Sequence, residues 1–357
     1  MQFVATKNKN MQYNLLPNSN INVSKICLGT MTFGEQNSEA EGHEQLNYAV
    51  NERGINFLDT AEMYSVPSKA ETKGSTEKII GTWLKNRNKR DDIILASKVC
   101  GPSANLAHIG AGRKFNRENM TITLHNSLQR LQTDYIDLYQ LHWPERPTNY
   151  FGALGYQHVS DDAVTDFVET LTVLQDFIKE GKIRYIGISN ETPWGTMQYL
   201  ATAEKYNLPK ISTIQNPYNL VNRTYEIGLA EMGIRENVGL LAYSPLAGGL
   251  LTEKYLSGKR PNGARFTLWP NYFTRYAHPN TMHAVERYAT LAKENGLSLS
   301  QMTLAYVNTR NFLTSNIIGA TKMTQLKENI DSIDVVLSDD VLKEIQKIHL
   351  DFPNPAP

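Results

Sequence analysis

The chain has 357 residues, 41% hydrophobic and 20% charged, enough to bury a large core as one α/β barrel with insertions or as two ordinary domains. Thirty-six basic side chains balance thirty-six acidic ones, so bulk charge gives no support to a nucleic-acid or membrane-surface partner, which rewards clustered positive charge. The only cysteines, Cys27 and Cys100, make neither a disulfide framework nor a metal-type spacing, and read as reduced, packed thiols of a cytoplasmic protein.

In chain order, the polar residues 1–10 read as a disordered leader, with Met11 a second candidate start and residues 11–357 as one barrel domain. No run has the length of a signal peptide or a membrane span. Segment 12–26 sets the turn residues Pro17, Asn18, Ser19 and Asn20 between apolar flanks, which predicts a hairpin. Short runs rich in Ile, Val and Leu then recur at 26–29, 55–58, 93–97, 135–141, 185–189, 211–215, 238–243 and 316–320. Such runs suit strands buried on both faces of a parallel sheet. Helix-like stretches lie between them: 75–87 with Ser75 as N-cap, 117–132, 163–181 stopped by Gly181, and 193–207 opened by Pro193. Segments 144–162 and 258–280 read as long loops. Helices are expected near 281–295 and 300–310, and a last one at 338–350 capped by Ser338, with Asp339 and Asp340 at its positive end. Strands alternating with helices argue for a parallel sheet, and eight of them for a closed (β/α)8 TIM barrel with an N-terminal hairpin.

In such a barrel the chemistry collects at the C-terminal ends of the strands. The second run is followed by Asp59 and Tyr64, and the third by Lys98. The fourth ends in His142, the fifth in Ser189 and Asn190, the sixth in Gln215 and Asn216, the seventh in Tyr243 and Ser244, and the eighth in Gly319, Ala320 and Thr321. Singly, each has a plain reading: a turn former, a solvated lysine, a packing histidine. Together they put a phenol, an ammonium, a carboxylate and an imidazole at one mouth. Reducing a carbonyl delivers hydride to carbon and leaves negative charge on oxygen, which must be stabilised and protonated. A free tyrosine has a pKa of about 10, and a neighbouring ammonium is expected to lower it. A buried ammonium in turn needs a carboxylate. Tyr64 is therefore the expected proton donor, Lys98 its tuner, Asp59 the partner of Lys98, and His142 a hydrogen-bond donor to the carbonyl oxygen.

The hydride must come from a cofactor. No G-x-G-x-x-G follows an early strand, so a Rossmann site is unsupported. At the barrel mouth Ser189, Asn190 and Gln215 are suited to a carboxamide and Tyr243 to stacking on a ring. The glycine-bearing run 244–255 carries Lys254, able to face phosphates; alone it also reads as an ordinary loop. A metal-dependent hydrolase would need several ligands at the strand ends, and only His142 and Asp59 are available, so no metal is expected.

Stretches 54–64, 127–149, 181–192, 213–220, 242–255 and 319–330 are similar, in order, to the motifs of the aldo-keto reductases. The chain resembles that family over nearly all of 11–357, and within it the branch that holds the potassium-channel β-subunits. The resemblance implies a (β/α)8 barrel, NADP(H) as cofactor and Tyr64 as proton donor. It implies Ser189, Asn190, Gln215 and Tyr243 around the nicotinamide. Ser244, Pro245, Leu246, Gly248 and Leu250 would follow along the pyrophosphate loop, with Lys254 and Arg265 as phosphate partners. Gly319, Thr321, Gln325, Glu328 and Asn329 would surround the adenosine phosphate. Many members carry a Lys/Arg pair after the last strand for the 2′-phosphate; here only Lys322 is near, and Arg265 is the candidate for that task.

Two functions fit: an active reductase of small aldehydes or ketones, and a cofactor-binding regulatory module with slow turnover. The complete set of four favours the first. The loop aromatics Trp143, Tyr150, Phe151, Tyr156, Trp269, Tyr272 and Phe273 fit an apolar or aromatic carbonyl, or simple loop packing. Cys100, two residues beyond Lys98, reads as packing. The pattern sets no oligomeric state.

Overall fold

The computed structural model describes residues 11–109, 113–160 and 164–357. The predicted leader, the end of the 144–162 loop and the start of the 163–181 helix fall outside them. The hairpin is present: β1 (Tyr13–Leu15) pairs antiparallel with β2 (Asn22–Ser24). Eight strands then form the barrel: β3 (Ile26–Gly29), β4 (Phe57–Asp59), β5 (Ile94–Val99), β6 (Ile136–Leu141), β7 (Ile183–Ser189), β8 (Thr213–Pro217), β9 (Gly239–Tyr243) and β10 (Leu313–Ile318). Each runs parallel to the next, and β10 closes on β3. The (β/α)8 TIM barrel is thus the architecture.

Strand ends move by a few residues against the apolar runs, because the runs mark burial rather than ladder pairing. Thus β10 starts earlier, at Leu313, and its register against β9 shifts between Leu313 and Ser315. Gly319 and Ala320 lie beyond it, in the turn at the mouth.

Helices fill the connections. The first, α1 (Glu39–Asn47), had no legible apolar stripe, since only Gly42, Gln45 and Leu46 are buried. A capping box between Ser38 and Glu41 starts it instead. At α2 (Ser75–Arg87) the N-cap is Gly74 in the left-handed region, not Ser75, which is the first helical residue. Next come α3 (Arg117–Leu131) and α4 (Phe167–Lys179), the latter capped by Asp166. Pro193 opens α5 (Pro193–Tyr206). The β8–β9 connection holds α6 (Leu229–Arg235), and the long β9–β10 connection holds α7 (Arg265–Leu268) and α8 (Pro279–Glu294). The chain ends through α9 (Leu299–Asn308), α10 (Met323–Asp331) and α11 (Asp339–Asp351), whose cap is Ser338 as expected.

Side-chain alternation along the strands separates two cores. Cys27, Phe57, Ile94, Ala96, Leu138, Leu241 and Ile317 cluster inside the barrel with Leu16 and Val23 from the hairpin. Their neighbours in sequence, among them Ile26, Leu28, Leu58, Leu95, Tyr139, Leu240 and Ile318, pack outward against the helices. Burying each such side chain contributes about 1.5–3 kcal/mol, so the register is strongly specified. The hairpin closes the lower end of the barrel. Counting upward by twos from this plug places Asp59, Lys98, Gln140 and Tyr243 on the inner face, at the mouth.

Candidate active site

Lys98 is the pivot of the mouth. It is fully buried, and the three protons of its ammonium all have acceptors. Its Nζ donates to Asp59 Oδ2 at 2.7 Å, to the Thr60 carbonyl at 2.8 Å and to the Tyr64 hydroxyl at 3.4 Å. Asp59 Oδ1 accepts from Gln215 Nε2 at 2.8 Å and from Gln140 Nε2 at 3.4 Å. The carboxylate is therefore paired and hydrogen-bonded on both oxygens, the condition under which a buried ion pair is tolerated. The sequence reading passed over Gln140; its signal was parity, two residues before His142 on the inward face of β6.

Tyr64 and His142 stand edge to face, ring centres 5.7 Å apart at 76°. Burial and the positive charge of Lys98 push His142 well below the usual imidazole range, so the ring is neutral at neutral pH. Its Nδ1 lies 3.9 Å from Cys100 Sγ, which gives that cysteine a contact beyond packing. The expected lowering of the Tyr64 pKa is overturned. Burial, reinforced by the negative charge of Asp59, holds the phenol well above its ordinary value. The physical reason is desolvation: out of water the phenolate is too costly for the nearby ammonium to offset, and the Asp59 carboxylate adds to that cost. Tyr64 therefore keeps its proton, while Lys98 remains in reach of the oxygen.

Asn190 and Ser244 adopt left-handed backbone, with φ of 53° and 52°, at the ends of β7 and β9. Asparagine tolerates that region better than most residues. Asn190 Nδ2 donates to the His142 carbonyl at 2.9 Å, and its Oδ1 accepts from the Tyr243 hydroxyl at 2.7 Å. Ser189 Oγ donates to the Gln215 carbonyl at 2.7 Å. These side chains brace three strand ends while presenting their remaining acceptors to the cavity. Gln215 has turned its amide nitrogen to Asp59 and Gln140, which leaves its oxygen as the group open to a ligand.

All of this opens into a cavity of about 1200 Å³, beyond the few hundred to 1,000 Å³ typical of a single small ligand. Asp59, Tyr64, His142, Ser189, Asn190, Gln215, Tyr243, Ser244, Pro245, Leu246 and Gly248 line it. Lys98 does not, lying behind Tyr64 and Asp59. Lys254 and Arg265 face one another across the far wall, where burial lowers the pKa of both, and the charge of Arg265 adds to the effect on Lys254. Among the described residues neither forms an ion pair. Gly248 and Gly249, with φ of 68° and 100°, let the intervening backbone turn tightly.

The last turn of the barrel completes the wall. Gln325 Oε1 accepts from the Thr321 backbone N–H at 3.0 Å, and Asn329 Nδ2 donates to the Gly319 carbonyl at 3.1 Å. Glu328 Oε1 accepts from Ser298 Oγ at 2.7 Å, and Ser300 joins it. Ser298, the cap of α9, and Ser300 line the cavity and went unread, although Ser298 carries a helix-start signature. The Leu250 side chain packs in the outer core and does not line the cavity. Of the loop aromatics, Trp143, Tyr150, Phe151, Tyr272 and Phe273 line the cavity, whereas Trp269 and the exposed Tyr156 do not. Among the described residues no group of three or more His, Cys, Asp or Glu is placed to hold a metal ion, and no helix is long and apolar enough to cross a membrane.

A phenol that keeps its proton, beside a neutral imidazole and a paired ammonium at the mouth of a closed barrel, suits acid catalysis on an oxygen. That combination of fold and mouth marks a barrel oxidoreductase. Residues 25–350 match the aldo/keto reductase family, and the chain belongs to it. It is 52% identical over 348 residues to Protein tas of Escherichia coli, covering 97% of this chain and all of that one. It is 32% identical over 349 residues, 97% of each chain, to the uncharacterized oxidoreductase YrpG of Bacillus subtilis. It is 30% identical over 345 residues to a probable voltage-gated potassium channel subunit beta of Oryza sativa, covering 95% of this chain and 96% of that one.

Proposed function

We propose that the chain is an NADP(H)-dependent reductase of aldehydes or ketones in which Tyr64 donates the proton. The observation that carries the reading is the Lys98 ammonium, held between the Asp59 carboxylate at 2.7 Å and the Tyr64 hydroxyl at 3.4 Å. Residues 11–357 serve as one catalytic domain. The two buried free thiols accord with a reducing, cytoplasmic setting.

The cavity wall fits the cofactor. Lys254 and Arg265 would hold its phosphates, and the open oxygen of Gln215 would accept from the carboxamide, beside Ser189 and Asn190. Tyr243 would stack on the nicotinamide, and Gly319, Thr321, Gln325, Glu328 and Asn329 would surround the adenosine end. When bound, NADPH supplies the hydride. The chain's own residues handle the oxygen. His142, neutral, directs the carbonyl oxygen toward Tyr64 through a ring N–H. Tyr64 releases its proton only as negative charge grows on that oxygen, and Lys98 then steadies the phenolate. Asp59 keeps Lys98 charged and in place.

The test is cofactor titration followed by a carbonyl panel, read as loss of NADPH absorbance. NADPH should bind more tightly than NADH; the reverse order would sink the cofactor assignment. Wild-type protein should turn over several aldehydes. Silence across a broad panel, with NADPH binding intact, would favour the regulatory module instead.

A further inference from the structure

Another cation on the cavity wall has no task in that reading. Arg275 lies within the short turn Thr274–Tyr276 and lines the cavity, yet among the described residues it forms no ion pair. Its guanidinium carbon lies 5.9 Å from the ring centres of both Phe151 and Tyr276. Phe151 packs edge-on against Trp143 at 5.7 Å, and Trp143 against His142 at 4.9 Å. Arg275 is thus two rings removed from the imidazole, among the aromatic residues of the cavity. Its surroundings are largely phenol and phenyl; the hydroxyls of Tyr243 and Tyr276 hydrogen-bond with it, and the Pro357 carbonyl oxygen approaches the same spot beside Gly152.

A guanidinium drawn largely out of water is costly unless an anion or several acceptors face it. Its planar fork matches a carboxylate with two parallel hydrogen bonds, and flanking rings hold the fork in one orientation. We infer that Arg275 anchors the substrate, and that the carbonyl compounds reduced here carry a carboxylate on an aromatic or apolar body. This rests on the reductase reading above and names its substrate class. The aromatic lobe takes the body of the molecule, Arg275 takes its charge, and Tyr64 with His142 receives the carbonyl oxygen.

The test uses the full chain with NADPH and two aldehydes matched in size and shape, 4-carboxybenzaldehyde and methyl 4-formylbenzoate, the ester being the more electrophilic, so that a preference for the acid cannot come from intrinsic reactivity. Wild type should favour the acid over the ester by about tenfold or more in kcat/KM, chiefly through KM, since one charge-assisted pair is worth at least that factor. Arg275→Leu should erase the preference, and Arg275→Lys, which keeps the charge but loses the fork, should restore part of it. An unchanged acid-to-ester ratio in Arg275→Leu, or no preference in wild type, would overturn the inference while leaving the reductase reading standing. Binding of 4-carboxybenzyl alcohol to the NADP+-loaded protein, measured by calorimetry, separates the opposite case. If no aldehyde is reduced but this ligand binds and loses affinity in Arg275→Leu, the anchor survives and the reductase reading falls. NADPH titration of each variant checks that it is folded.

Discussion

Replacing Lys98 by methionine tests the architecture of the mouth, because the substitution keeps the stem and removes the charge. Lys98 and Asp59 are both buried, with 2.7 Å between charged atoms. At an effective dielectric of about 20, unit charges at that distance attract by about 6 kcal/mol, before the cost of taking them out of water. The net value of the pair is smaller, but a partner left alone carries its desolvation cost uncompensated. Single removals from buried pairs cost about 3–5 kcal/mol. Lys98→Met should therefore lower the thermal midpoint by roughly 4–7 °C at neutral pH, and Asp59→Asn, which strands the ammonium, should do likewise. The double variant should lose less than the two singles together, by about 2 kcal/mol, because neither charge is then stranded. Thermal unfolding of all four proteins in one buffer provides the cycle. Losses that simply add would mean that the ion pair does not hold the mouth together.

Three further outcomes concern the site. Because burial holds the Tyr64 pKa above 10 and that of His142 below 6.5, kcat/KM for carbonyl reduction should stay level between those values and fall only above about pH 10; a midpoint near 8 would show an acidified phenol. Stability should behave accordingly. The unfolded chain takes up a proton on His142 that the fold refuses, so stability falls as pH drops below about 6.5, by up to 1.4 kcal/mol per unit. On the alkaline side, stability from the neutral Tyr64 is present below about pH 10 and is lost as pH rises toward its folded value; urea midpoints across pH would check both limbs. At Gly249, where φ is 100°, an added Cβ would lie 2.6 Å from Lys254 Nζ. Gly249→Ala should displace that cation and weaken NADPH binding by about tenfold, with a stability cost of about 1–2 kcal/mol; unaltered affinity in a fluorescence titration would remove Lys254 from the phosphate site.

Much of the barrel could be read in advance, because strands buried on both faces announce themselves as continuous apolar runs. The helix α1 could not, since its buried face is Gly42, Gln45 and Leu46 and a capping box starts it. The mouth was legible as residue types at strand ends, down to Asp59, Lys98 and His142. Gln140 was hidden because it lies inside a run, where only parity against Leu138 shows that it points inward. The protonation of Tyr64 depends on its burial and on the nearness of Asp59, neither of which a linear pattern carries. The direction of the Leu250 side chain, into the outer core, was set by packing that the motif does not carry. Arg275 sits in an irregular loop with no periodicity to expose it, and acquires meaning only from the rings around it.

The central claim is that the Tyr64 hydroxyl delivers the proton. Tyr64→Phe removes one oxygen and leaves the ring against His142. General acid catalysis contributes about 10²–10⁴ in rate, so NADPH oxidation with a substrate aldehyde should fall by at least about 100-fold while NADPH affinity stays within about twofold. Turnover equal to wild type, with cofactor still bound, would contradict the account.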